Sequence, residues 1–167
     1  MLKKTDKFIY LFSFIVYKME LDPLDKSILD VLLEDSRYSF RQIAERVKVS
    51  PATVLNRIKE LDKNGIIKQY TTLLDYEKLG YDVEVVIEVR IAKGKLFEVE
   101  KQIAHHPNVF AVYDVTGDFD AILLARFSDR KKMDAFLKKI QTFDFVERTH
   151  TRMILHTIKE KQVGVIE

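Results

Sequence analysis

Three helix-start signals crowd one short stretch of this chain: Asp22-Pro23, Ser39 with Gln42, and Ser50-Pro51. Each sets a capping side chain against the free amides of a first helical turn, and proline fits only at such a start. Ser39 with Gln42 three residues on is a capping box. The chain between Leu21 and Gly65 therefore has room only for three short helices. Leu24, Ile28, Val31 and Leu32 give the first an apolar stripe ending near Asp35. Ile43, Ala44 and Val47 face inward from the second, which Lys48-Val49 interrupts. Val49 and Val54 staple the entry to the third, and Val54, Ile58 and Leu61 form its buried side. Asn64-Gly65 closes it, with glycine available for a left-handed residue.

A plain three-helix bundle would fit this pattern, but three details favour a DNA reader. The turn between the second and third helices is very short. Thr53, Asn56 and Arg57 fall on the polar side of the third helix, where arginine suits guanine and asparagine suits adenine. Charge points the same way. Arg37 to Lys68 holds eight basic and three acidic residues, a local excess of 8 − 3 = +5 in a chain of net charge +2. Ser39, Arg41, Lys48 and Ser50 join those three as candidate DNA contacts.

Beyond Gly65 the periodicity changes. Ile66 to Leu74 is apolar and strand-like and is read as a linker, with a turn over Asp75 to Gly80. Val83, Val85, Ile87, Val89 and Ile91 alternate with mostly polar residues, which marks a strand that Lys93-Gly94-Lys95 ends. Leu96, Val99 and Ile103 follow at helical spacing. Val109 to Val115 and Ala121 to Phe127 read as strands around a Gly117-Asp118 turn. Met133, Phe136, Leu137 and Ile140 mark a further helix, and Phe145 to Ile158 a last strand. The order βαββαβ is ferredoxin-like, with both helices on one face of an antiparallel sheet. Val86, Val112 and Ile154 fall out of phase with the core, so the other face needs a cover. A second copy of the chain supplies it most simply, as a homodimer or a larger tetramer or octamer.

The whole is an α+β protein. It divides into an extension (1–18), a helix-turn-helix, winged-helix-like domain (19–66), a linker (67–80), a ferredoxin-like effector and oligomerisation domain (81–160) and a tail (161–167). Lys3 and Lys4 precede an apolar ten-residue run, Phe8 to Tyr17. That run has the outline of a secretory signal, yet it is half the roughly 20 residues a membrane span needs. It also lacks a small-residue cleavage site. It reads instead as an extension from an upstream start or an element packed on a partner. The chain has no cysteine, which excludes disulfides and thiolate metal sites and fits a cytoplasmic protein away from membranes.

Leu24-Asp25-Lys26-Ser27-Ile28-Leu29, Ile43-Ala44, Val49-Ser50-Pro51-Ala52-Thr53-Val54, Arg57-Ile58-Lys59-Glu60-Leu61 and Gly65-Ile66-Ile67 together resemble the N-terminal half of the Lrp/AsnC (feast/famine) regulators. Thr116-Gly117-Asp118-Phe119-Asp120 and Thr149-His150-Thr151 resemble two recurring motifs of that family's effector domain. The resemblance spans about residues 20–160. It implies a transcriptional regulator that binds double-stranded DNA at a pseudo-palindromic operator and responds to an amino acid or similar metabolite. It also implies that the glycine-aspartate-aromatic-aspartate loop lies near the effector. Gly117, Asp118 and Asp120 are then candidate effector contacts, with Arg152 beside them. A carboxylate pairs with an ammonium, and an exposed glycine lets a ligand approach the backbone. A tight turn held by Asp side chains is the competing reading.

Enzymatic signatures are missing: no glycine-rich phosphate loop, no nucleophile elbow, no cysteine nucleophile. His105 and His106 sit near a helix end. His150 and His156 lie six apart in a strand, about 20 Å, too far to share a metal. No cofactor or metal is expected. One enzymatic alternative comes from the resemblance. Some proteins resembling this family decarboxylate sirohaem with His and Arg near the effector pocket, and His150 and Arg152 stand in comparable places.

Overall fold

A computed structural model describes residues 20–92 and 94–160. The expected extension 1–18, the tail 161–167, Lys93 and the Val99 side chain lie outside the described residues. The chain divides into two compact units, which meet between Thr71 and Thr72.

The first unit contains α1 (Pro23–Glu34), α2 (Phe40–Val47) and α3 (Pro51–Lys63). All three starts are capped as their residues dictate. The Asp25 N–H donates to Asp22 Oδ1 at 2.8 Å. The Gln42 N–H donates to Ser39 Oγ at 3.3 Å, and the Ser39 N–H returns to Gln42 Oε1 at 2.8 Å. The Thr53 N–H donates to Ser50 Oγ at 3.1 Å. Lys48 takes the left-handed conformation (φ 60°), and this single residue turns α2 into the approach to α3. Ile28, Ile43, Ala44, Val54 and Ile58 form the core, with Val49 packed against it as the staple requires. Residues 66–74 form no strand: an apolar run without a pairing partner stays irregular.

The second unit contains β1 (Val83–Ile91), α4 (Leu96–Gln102), β2 (Val109–Asp114), β3 (Ala121–Phe127), α5 (Arg130–Gln141) and β4 (Val146–Ile154). The antiparallel sheet runs β2-β3-β1-β4, the ferredoxin-like order. Val83, Val85, Ile87 and Val89 from β1 and Leu123, Ala125 and Phe127 from β3 share the core face with Phe136 and Ile140 of α5. Two expectations change here. Val112 packs on the core, because the pairing slips between Val109 and Ala111 and returns Val112 opposite Leu123. The last strand stops at Ile154, which pairs with Glu84 near the start of β1, so Leu155 to Ile158 have no neighbour to bond.

The opposite sheet face carries Glu84, Val86 and Glu88 of β1, Ile122, Leu124 and Arg126 of β3, and His150, Arg152 and Ile154 of β4. At one place it is already covered. Arg126, 13% exposed, lies between the rings of Tyr76 (4.5 Å) and Phe110 (3.9 Å), and its Nε meets Glu84 at 2.6 Å. This contact seats the Tyr76–Gly80 turn on the sheet.

Candidate DNA-reading helix and effector cleft

The cap and staple at its start fix how α3 presents its first two turns. Val54, Ile58 and Leu61 are buried, which turns Pro51, Ala52, Asn56 and Lys59 to solvent. Asn56 is therefore the side chain of the expected reading set with the freest reach. Thr53 is half-buried and its Oγ1 lies 2.8 Å from Ser50 Oγ, so both hydroxyls serve the helix start. Ser39 likewise serves the capping box of α2. Arg41 is exposed beside Glu45, and Lys48 is exposed at the end of α2.

Arg57 behaves differently from the expectation. Its Nη1 lies 2.6 Å from Asp22 and 3.3 Å from both oxygens of Asp25. Asp25 is the one buried charged residue described, 4% exposed. The guanidinium therefore ties α3 to the start of α1 instead of reaching outward. The Asp22 carboxyl lies below its ordinary range: the Asp25 N–H bond lowers it most, partial burial opposes, and the Arg57 charge lowers it further. Ala52 and Lys59 share the face with Asn56 and were not anticipated. Their signal was available, since they occupy the polar positions between the buried ones.

In the second unit the loop after β2 closes on one residue. The Asp120 N–H donates to Val89 O at 3.0 Å, and Asp120 O accepts from the Val115 N–H at 3.0 Å. Its Oδ2 accepts from the Ile91 N–H at 2.8 Å. Asp120 is thus the latch of the loop, and its carboxylate is engaged within the fold. Asp118 has the outward place: its carbonyl accepts from Arg90, while its side chain lines a cleft. The expected division of labour between the two aspartates is reversed. Gly117 (φ +125°) takes a conformation that side chains rarely adopt, and a Cβ there would meet nothing, so backbone geometry rather than crowding demands glycine.

That cleft holds about 770 Å³ and is lined by Glu88, Asp114, Val115, Thr116, Asp118, Phe119, Ile122 and Arg152. Glu88 accepts from His150 Nδ1 at 2.8 Å and from Arg152 Nε at 3.2 Å. Burial works against the charged Glu88, but these bonds and the cations behind them outweigh it and hold the carboxyl below its usual range. Phe119 stacks on His150 with ring centres 6.2 Å apart. Arg152 keeps 64% of its side chain in solvent. The cleft thus offers an exposed cation, carboxylates without an ion pair among the described residues, and an apolar wall. Sequence reasoning named Asp118 and Arg152. It missed Glu88 and Asp114, which reach the site from neighbouring strands.

Known proteins match both units. The winged helix-turn-helix DNA-binding model matches residues 21–68, and the Lrp/AsnC ligand binding domain model matches residues 84–163. An uncharacterized HTH-type transcriptional regulator of Pyrococcus horikoshii is 44% identical over 142 residues, covering 85% of this chain and 96% of the relative. The HTH-type regulator FL11 of the same organism is 34% identical over 143 residues, covering 86% and 95%. Among solved structures, a transcriptional regulator of Neisseria meningitidis in complex with L-Met superposes with a TM-score of 0.78 at 31% identity, covering 85% and 94%. Escherichia coli AsnC shares the fold with a TM-score of 0.81 at 23% identity, covering 87% and 99%. Among the described residues no helix is long and apolar enough to cross a membrane. Capped reading helix, ferredoxin-like unit and matched models converge: the chain belongs to the Lrp/AsnC family, as a DNA-binding transcriptional regulator with a ligand-binding domain.

Proposed function

We propose that the first unit reads a specific DNA sequence through α3, and that the second binds an amino acid in the cleft and pairs the chains. The observation that carries the reading is the solvent face of α3. Pro51, Ala52, Asn56 and Lys59 stand together on the first turns of a capped helix. Recognition helices address base edges with their N-terminal residues. The Asn56 amide matches adenine bidentately, and the Ala52 methyl matches the thymine methyl. Arg41 and Lys48 flank that face as phosphate contacts that set register. Ser39, Ser50 and Thr53 contribute by holding the helices, and Arg57 by fixing α3 against α1.

For the effector, Asp118 and Arg152 supply opposite charges for the ammonium and carboxylate of an amino acid. The solved relative carrying L-Met supports that ligand class. Val86, Ile122, Leu124 and Ile154 leave an apolar sheet face that a second copy covers. Such a twofold assembly demands a pseudo-palindromic operator. Ligand alters DNA affinity only through unequal affinity for two assembly states, and such couplings are typically about 1–3 kcal/mol.

Genome-wide footprinting with and without a panel of amino acids tests this. Protected sites should be pseudo-palindromes whose occupancy shifts with at least one amino acid. Asn56→Ala should lose discrimination at one base pair per half-site. Unchanged sequence preference in that variant would remove α3 as the reader.

A further inference from the structure

The charge of the cleft goes beyond what a simple zwitterion needs. Its lining holds three carboxylates, Glu88, Asp114 and Asp118, against one guanidinium, Arg152. Glu88 is satisfied by His150 and Arg152. The nearest further cation, Arg90, meets the Asp118 carbonyl and lies 4.0 Å from Glu147, so it is balanced by its own acid. An α-ammonium and an α-carboxylate use Asp118 and Arg152. Asp114 then remains at the end of β2, exposed and with no ion pair among the described residues. A ligand with a neutral side chain leaves that carboxylate without a partner, and an acidic side chain meets repulsion.

We propose that the cleft selects an amino acid with a cationic side chain, with Asp114 as the residue that sets this specificity. The inference rests on the reading of the cleft as the effector site, for which the ligand-binding domain match and the Arg152–Asp118 arrangement stand independently of Asp114. Phe119, Val115 and Ile122 give the aliphatic stem of such a side chain an apolar wall. The specificity is electrostatic, so it weakens with salt.

Calorimetric titration of the full chain with L-arginine and L-citrulline isolates one charge, since citrulline replaces the guanidinium with a neutral group of similar shape. L-lysine and L-norleucine form a second such pair. Wild type should prefer the charged member of each pair by about tenfold, the effect of one added charge-assisted contact. In Asp114→Asn that ratio should fall towards one. Asp118→Asn should weaken both members together and leave the ratio. Thermal unfolding of both variants shows whether each is folded. Neutral amino acids binding as tightly as basic ones to wild type would overturn this inference alone. Binding of no amino acid of any class would overturn the effector reading, and this inference with it.

Discussion

Replacing Arg57 with alanine should destabilise the helical unit rather than merely blunt DNA recognition. Arg57 Nη1 is the donor to both oxygens of Asp25, and the Asp25 side chain is 6% exposed. Removing one partner of a fully buried pair costs about 3–5 kcal/mol, because the other charge is left without compensation. An exposed pair is worth only about 0.2–1 kcal/mol. This pair lies between those limits: Asp25 is enclosed, but Arg57 is 41% exposed, so water enters once the guanidinium has gone. The expected loss is about 2 kcal/mol, or a midpoint shift of roughly 4–8 °C for each kcal/mol in a unit of this size. Urea and thermal unfolding of the full chain, followed at the helical circular-dichroism bands, measure it. Adding Asp25→Asn to Arg57→Ala should recover part of the loss, since the orphaned charge disappears with it. The reasoning fails if Arg57→Ala unfolds at the wild-type midpoint while losing selectivity at one operator base. Arg57 would then leave α1 to read DNA.

Three further outcomes follow from the geometry. Asp120→Ala should cost about 1–3 kcal/mol by leaving the Ile91 N–H without an acceptor, and amide exchange at Ile91 should accelerate; Asp118→Ala should leave that amide protected. Lys48→Gly should act oppositely in two assays: glycine relieves the left-handed residue at φ 60°, raising stability by about 1 kcal/mol, while loss of the cation lowers the salt slope of DNA binding by about 1. His106 is held below its ordinary value of 6.5, chiefly by burial and then by the Lys139 charge, and packs 4.6 Å from the Phe136 ring. Its neutral form belongs to the folded state, so stability is full above about pH 6.5 and falls as pH drops below that, where the unfolded chain takes up the proton first. Unfolding midpoints from pH 7.5 to about 5.5 should show this slope in wild type and lose it in His106→Gln.

The features legible in the sequence are those whose hydrogen bonds close within a few residues. Ser39, Ser50 and Asp22 declared the helix starts because a cap reaches only its own first turn. The alternation from Val83 to Ile91 declared a strand with one buried face because side chains along a strand alternate locally. Side chains with distant partners were not legible. Arg57 lies between buried Ile58 and exposed Asn56, so helical periodicity leaves it undecided, and Asp25, 32 positions away, settles it. Asp118 and Asp120 share a side by alternation, and their roles are separated only by the Ile91 amide on another strand, 29 positions away. Val112 depended on a slip in pairing, and the end of the last strand on where β1 begins. The same distinction explains the cleft. Asp118 belongs to a compact loop motif and could be named. Glu88, Asp114 and Arg152 come from three different strands and meet only because the sheet order is β2-β3-β1-β4. Glu88 faces Arg152 because the β1–β4 register sets it directly opposite His150, two residues from Arg152 on the same face. A one-residue slip in that pairing would put Arg152 on the core side and dismantle the site while leaving every loop residue in place. Ligand binding is therefore a property of the register of β4, and substitutions that shift the register should abolish it without touching any residue of the loop.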